Sequence, residues 1–298
     1  MKHTILITTI LLLVFFTSQI AGLYIVSKYV DIEKTEQVRE ETGELEVVVY
    51  KELPYNIERP EVEEQNSWLY ITIAVIISSV IALIIIKYAK INIWKLWYFA
   101  AVVLTLTISF AAMMPQFIAF ILSFLSGIFK VYKPNILVHN ITEIFIYGGI
   151  AAIFVPVMNL WSAIILLLVI SVYDMYAVWK SKHMVTIAKF QSKTQTFAGI
   201  FIPYKRIEPK KAVELKFAKK VELVPKNAVL GGGDIAFPLL FEGVVMKKVG
   251  FLVASLIPIT TTIALGALLF LAKKDRFYPA MPFILIGCFV GHLIILAL

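Results

Sequence analysis

Only one cysteine, Cys288, occurs in 298 residues, which excludes a disulfide framework and a cysteine-built zinc site. Charge is equally scarce. Asp, Glu, Lys and Arg make up 16% of the chain against 60% apolar residues, and a mean hydropathy of +0.85 excludes a soluble domain and points to a polytopic membrane protein. No internal repeat and no low-complexity stretch is visible. The formal charge of +8 would suit nucleic acid, but the cations cluster in loops between apolar runs, where they set topology instead. The expected surroundings are a lipid bilayer, with no nucleic acid as partner.

A bilayer core of about 30 Å takes roughly 20 apolar residues per helix. Nine runs of that kind are bounded by charge, proline or polar clusters, at 4–26, 68–86, 96–113, 116–129, 141–158, 160–179, 228–245, 249–272 and 277–298. The third and fourth are one continuous apolar stretch, too long for a single span, and Met114-Pro115 is where it turns. The first run begins with Lys2 and resembles a signal peptide, but it stays apolar through Leu23, Tyr24, Ile25 and Val26, so it reads as a retained helix.

Residues 28–67 carry 5 Lys/Arg against 12 Asp/Glu, whereas residues 180–226 carry 12 Lys/Arg against 3 Glu. Because cations stay cytoplasmic in short loops, the N-terminus is expected inside and Leu298 outside. Lys247 and Lys248, beside Glu242, dissent from that pattern. The expected fold class is all-α, with about nine transmembrane helices in a multi-pass cell-membrane protein. It divides into a six-helix bundle over 1–180 with an external acidic loop at 28–67, a basic cytoplasmic loop at 181–226 and a three-helix unit at 227–298. The acidic loop reads as solvated chain with a short strand at 46–50. In the basic loop, Val213, Leu215, Phe217, Val221 and Leu223 alternate with polar residues, which suits either a surface lying on anionic lipid or a strand edge able to pair with an extended peptide.

Ionisable groups inside spans face protein or water, and four qualify: Glu143, Asp174, Asp234 and His292. Asp174 lies six residues before Lys180 and Asp234 eight after Lys226, which puts them roughly 9 and 12 Å from one boundary at 1.5 Å per residue. Two antiparallel helices then bring two carboxyl groups to one level. Such a pair shares a proton, so one member can deprotonate water while the other donates to a carbonyl oxygen, a division of labour suited to peptide hydrolysis. Nearby stand Gly231, Gly232 and Gly233, which permit close backbone approach, Tyr173, and the irregular start Pro279-Ala280-Met281-Pro282.

Tyr173-Asp174, Gly231-Gly232-Gly233-Asp234 and Pro279-Ala280-Met281 resemble, in order and in span, the Tyr-Asp, Gly-x-Gly-Asp and Pro-Ala-Leu motifs of presenilin-type intramembrane aspartyl proteases. The resemblance covers the whole chain and is greatest to the archaeal presenilin homologues. It implies that Asp174 and Asp234 are the catalytic pair, that Tyr173, the three glycines, Pro279, Ala280 and Met281 shape the site, and that no metal or other cofactor takes part. It also implies substrates that are single transmembrane helices, unwound locally, and an enzyme acting alone or as a homo-oligomer. Met281 departs from the family's Leu, a change of similar volume. The patch 196–204 corresponds in position to the segment where presenilins cut themselves. Signal peptide peptidases share the aspartate motifs in inverted orientation, which the cation bias argues against.

Other protease chemistries lack their residues. His139 is followed by Asn140-Ile141-Thr142, not by a Glu placed for a zinc site, and Phe124 stands where a rhomboid pattern near Ser126 wants glycine. A secondary transporter or ion-leak channel, carrying protons or cations on the same aspartates, is the alternative. His292 reads as a satisfied interior histidine, and Glu143 as an interfacial residue bonded to Asn140 or water. Asn140-Ile141-Thr142 matches a glycosylation acceptor, but on the cytoplasmic side the match is accidental.

Overall fold

The structure is a computed structural model that describes residues 5–43, 47–88, 91–181, 187, 190–191, 196–203, 227–272 and 278–298. The alternating segment 213–223, most of the basic loop and the cations at 273–276 lie outside them.

Every apolar run holds a helix. In chain order these are α1 (Ile5–Tyr29), α3 (Ser67–Lys87), α4 (Ile91–Ala111), α5 (Gln116–Tyr132), α6 (Ile136–Phe154), α7 (Leu160–Met175), α8 (Gly233–Ala254), α9 (Leu256–Leu271) and α10 (Met281–Ala297). The short polar helix α2 (Ile32–Thr42) falls between the first two. Among them α1, α3 and α4, together with α6 and α7 as extended by their final short turns, are long and apolar enough to cross a bilayer; α5 and α10 are shorter, and α8 and α9 meet at 90°. Sequence chemistry sets the ends. Pro115 precedes α5, the Asn135 and Asn159 side chains cap α6 and α7 at 2.8 Å from the amides of Leu137 and Ser162, and Gly250, at φ 77°, breaks α8 before the chain turns back.

Glycines let the helices close on one another. A Cβ on Gly287 of α10 would lie 2.6 Å from the Thr261 Cα of α9, and one on Gly149 of α6 would strike the Thr105 carbonyl of α4. This small-residue packing substitutes for the hydrophobic drive that lipid does not supply. Helix α8 touches α1, α6, α7 and α10 and forms the middle of the bundle, with Leu239, Leu240, Phe241, Val244 and Val245 all buried.

Three expectations change. The run at 228–245 begins as a strand: β2 (Asn227–Gly231) pairs antiparallel with β1 (Gly199–Pro203), with Ile200 opposite Leu230 and Ile202 opposite Ala228. The solvated loop contains α2, started by Asp31, whose carboxylate accepts from the Lys34 amide at 3.3 Å, and stopped by Gly43 at φ 72°. The suggested strand at 46–50 amounts, among the described residues, to one bridge between Val30 and Tyr50. Of the two lysines that dissent from the charge pattern, Lys247 is engaged: its Nζ bonds the carbonyls of Met158 at 2.6 Å and Pro156 at 3.2 Å and sits 3.5 Å from Glu64. A cation consumed in this way carries no topological information.

Candidate active site

Asp174 occupies the last turn of α7, where a single π-type turn, Tyr176–Lys180, continues the helix. Its carboxyl is buried, at 7% exposure, and points at the start of α10. There the Met281 amide donates to Asp174 Oδ2 at 3.2 Å, and the Ala280 amide also donates to the carboxyl. The cause is local. Pro279 and Pro282 keep the chain from continuing helically upstream, so the first amides of α10 have no intrahelical acceptor and turn to a carboxylate. The Pro-Ala-Met element therefore supplies backbone donors to Asp174, and Met281 itself is buried.

Asp234 lies in the first turn of α8, three residues beyond the end of β2. Its side chain folds back to the Gly231 amide, which donates to it, and a Cβ on Gly231 would stand 3.4 Å from Asp234 Oδ2. The carboxyls of Asp234 and Asp174 are close enough to interact electrostatically. Chain segments more than forty residues apart thus bring together the two aspartates, the glycine turn and the proline element.

The three glycines differ in their surroundings. A Cβ on Gly232 would lie 2.7 Å from the Tyr147 hydroxyl and 3.3 Å from the Ala198 carbonyl, whereas one on Gly233 would meet only the Phe237 ring, at 3.3 Å. Close approach at the turn is by Tyr147 of α6. Tyr173 is half-buried, and its hydroxyl donates to Ser79 on α3 at 3.1 Å, so it ties α7 to α3.

Among the described residues, the strand pair has one open edge. In an antiparallel ladder alternate residues turn their backbone groups outward. Gly232 N donates to Ala198 O at 3.0 Å, which with the register makes the pairs 200/230 and 202/228 the hydrogen-bonded ones. The outward groups of β1 are taken by α6: Asn140 accepts from Phe201 N at 3.0 Å and donates to Phe201 O at 2.9 Å. On β2 the outward groups belong to Val229, which is 40% exposed, and to Gly231, whose amide faces Asp234.

Sequence reasoning misplaced several groups. Glu143 is not interfacial: it is 1% exposed and paired with Lys130 at 2.7 Å. Lys130, which directly follows the apolar run 116–129 where a membrane-flanking cation is expected, is just as buried. Glu242, within the run 228–245 but not among the four ionisable groups singled out there, lies wholly buried in α8, with the Thr261 hydroxyl beside it engaged to the carbonyls of Ile257 and Pro258. His292 packs edge-on to Phe241, but its Nδ1 has no hydrogen-bond partner among the described residues. Two charges of opposite sign thirteen residues apart, each flanking a helix hairpin, were the one available signal for the Lys130–Glu143 pair.

Two solved structures share this architecture. Both are of a presenilin family intramembrane aspartate protease, in C222 and P2 crystal forms. The first matches with TM-score 0.59 and 15% identity over 97% of this chain and 98% of that one. The second matches with TM-score 0.59 and 16% identity over 96% of each. No curated protein sequence matches. The family described as signal-peptide peptidase, presenilin aspartyl protease matches residues 44–298, and this multi-pass membrane chain belongs to that family of intramembrane aspartyl proteases.

Proposed function

We propose that Asp174 and Asp234 are the acid–base pair of this protease, acting on a peptide bond of a transmembrane helix that unwinds beside them. One carboxylate takes a proton from water as its oxygen attacks the peptide carbonyl carbon. The other, protonated, gives its proton to the carbonyl oxygen. Forming the gem-diol thus exchanges the protonation of the pair. The gem-diol collapses when the newly protonated carboxyl gives its proton to the amide nitrogen, which leaves as an amine, while the other carboxylate takes back a hydroxyl proton and the starting state is restored. The observation that carries this reading is the convergence on one point of Asp174, held by the amides of Ala280 and Met281, and Asp234, held by the amide of Gly231. Held carboxyls lose little freedom on reaching the reactive geometry.

Substrate is taken as an added strand. The outward backbone groups of Val229 on β2 are open to pairing, and Asp234 lies along the same edge, so a peptide extended there would run past the carboxyls. Pairing in this way restores the backbone bonds an unwound helix gives up in lipid. The alternating segment 213–223, which the sequence also offers as a pairing edge, lies outside the described residues. Single-pass membrane proteins are the substrates that suit it. The protein is further assigned nine spans with an internal N-terminus and an external C-terminus, a place in the cell membrane, and activity alone or as a homo-oligomer.

Cleavage of a reporter transmembrane helix by the detergent-purified protein tests the pair. Asp174→Ala and Asp234→Ala should each remove activity, and a hydroxyl-isostere peptide should inhibit the wild type. Cutting that survives either substitution overturns the assignment.

A further inference from the structure

Next to the site lies a buried charged cluster that the hydrolytic mechanism does not use. Lys130 of α5 is 1% exposed, and its ammonium reaches Glu143 Oε1 at 2.7 Å, Thr142 Oγ1 at 2.9 Å, and both His139 Nδ1 and the His139 carbonyl at 3.2 Å. An ammonium only donates, and with three hydrogens for four acceptors it shares the third between the Nδ1 and carbonyl of His139, so Nδ1 faces the cation with its lone pair and the neutral ring carries its proton on Nε2. That nitrogen lies 2.8 Å from the Gly199 carbonyl at the head of β1, an oxygen that only accepts. Lys130 therefore selects the tautomer with which His139 holds the strand.

The second carboxylate oxygen of Glu143 leads the other way. It accepts from the Tyr147 hydroxyl, the group that lies over Gly232 where a Cβ would be only 2.7 Å away. Gly232 in turn donates to Ala198 O at 3.0 Å. A single ion pair thus holds both strands where they approach Asp234, β1 through Gly199 and the β2 turn through Gly232. Gly199 has φ 138° and its Cβ would collide with the Leu230 carbonyl, so the chain there has no slack to absorb a shift.

We propose that Lys130 and Glu143, acting through His139 and Tyr147, are positioning residues that fix the β1–β2 unit and, with it, the Asp234 carboxyl and the strand edge that receives substrate. The proposal rests on the two-aspartate reading above. It assigns a role in the reaction to a pair whose bland alternative is to join α5 to α6.

Replacing a buried pair by apolar groups of similar volume is often neutral for stability, whereas removing one partner strands a charge. The double variant Lys130→Met/Glu143→Leu is therefore the informative one, compared with Lys130→Met and with His139→Gln and His139→Ala. The full chain is purified in detergent, and reporter cleavage is measured as kcat and KM per inhibitor-titrated site, beside thermal unfolding. The double variant should unfold near the wild-type temperature yet turn over about 10-fold to 100-fold more slowly, since a displacement on the order of 1 Å suffices for that loss. Its KM should change less than kcat. His139→Gln, whose amide can still donate to Gly199, should retain more turnover than His139→Ala. A double variant that recovers turnover along with stability, or equal turnover in the two His139 variants, overturns the positioning role while leaving the aspartate assignment intact. A wild type that cuts no reporter, or that cuts without either aspartate, overturns both.

Discussion

Three adjacent glycines look alike in sequence, but only one has a neighbour that forbids a side chain. At Gly232 the obstacles are the Tyr147 hydroxyl and a backbone carbonyl, neither of which can retreat without breaking a buried bond. At Gly233 it is the edge of the half-buried Phe237 ring, which can turn. Gly232→Ala should accordingly lower the initial rate of reporter cleavage by about 100-fold, and Gly233→Ala by no more than a few-fold. Met281→Leu belongs at the same scale. What Asp174 receives from this residue is its amide, which the substitution leaves in place, and the buried side chain changes shape more than volume. Cleavage within a few-fold of wild type is the expected outcome, and a loss as large as that of Gly232→Ala would show that the thioether itself has a role. The aspartates, the glycine turn and the proline element were legible because each is an offence against a local rule: a charge in an apolar run, consecutive glycines, prolines at a helix start. Lys130 was not, because a lysine closing an apolar run obeys the usual rule for a membrane flank. Only the fold reveals that the helix hairpin encloses it.

At the scale of elements, the strand pair is where pattern reading failed. Residues 227–231 merge into an apolar run long enough for a span, and Gly199–Pro203 has too few residues to express a period. What makes them strands is non-local: each supplies the other's ladder, and α6 supplies the outer edge. Asn140 is the clearest case, since its amide imitates one residue of a neighbouring strand against Phe201. Asn140→Ala leaves two backbone groups of Phe201 unpaired, a cost of about 1–3 kcal/mol if they stay dry. Hydrogen exchange should rise at Phe201 and its neighbours in β1, with α1 and α9 unchanged. Protection that stays at the wild-type level would mean the β1–β2 ladder alone holds the strand. Helix contacts make a contrasting case. Gly287 of α10 sits against the Thr261 backbone, far in sequence from both strands, and Gly287→Leu should lower stability by roughly 1–3 kcal/mol through overpacking, read as a fall in the thermal midpoint.

For the molecule as a whole, the question is which parts share a side of the bilayer. Ser162, in the first turn of α7, donates to the carbonyls of Glu64 at 2.5 Å and Gln65 at 3.0 Å, and Lys247 joins Glu64 to the carbonyls of Pro156 and Met158. One end of the bundle is therefore tied to the acidic segment. The π-type turn that continues α7 ends at Lys180, 18 residues beyond Ser162 and about 27 Å away at helical rise, close to the thickness of the hydrocarbon core. This relation holds whichever way the protein is inserted, so two probes separate orientation from spanning. Cys288 is fully buried and gives little background to a bulky, membrane-impermeant maleimide. Glu61 and Lys180 are exposed. With an internal N-terminus, Glu61→Cys should react in intact cells and Lys180→Cys only after the membrane is opened. The reverse result would invert the topology read from 12 cations against 3 acids in residues 180–226, while keeping the site intact. Reaction of both from outside would contradict something more basic: with Glu64 fastened to the start of α7, it would require that α7 does not cross the membrane at all, and the aspartate it carries would then not lie within a bilayer.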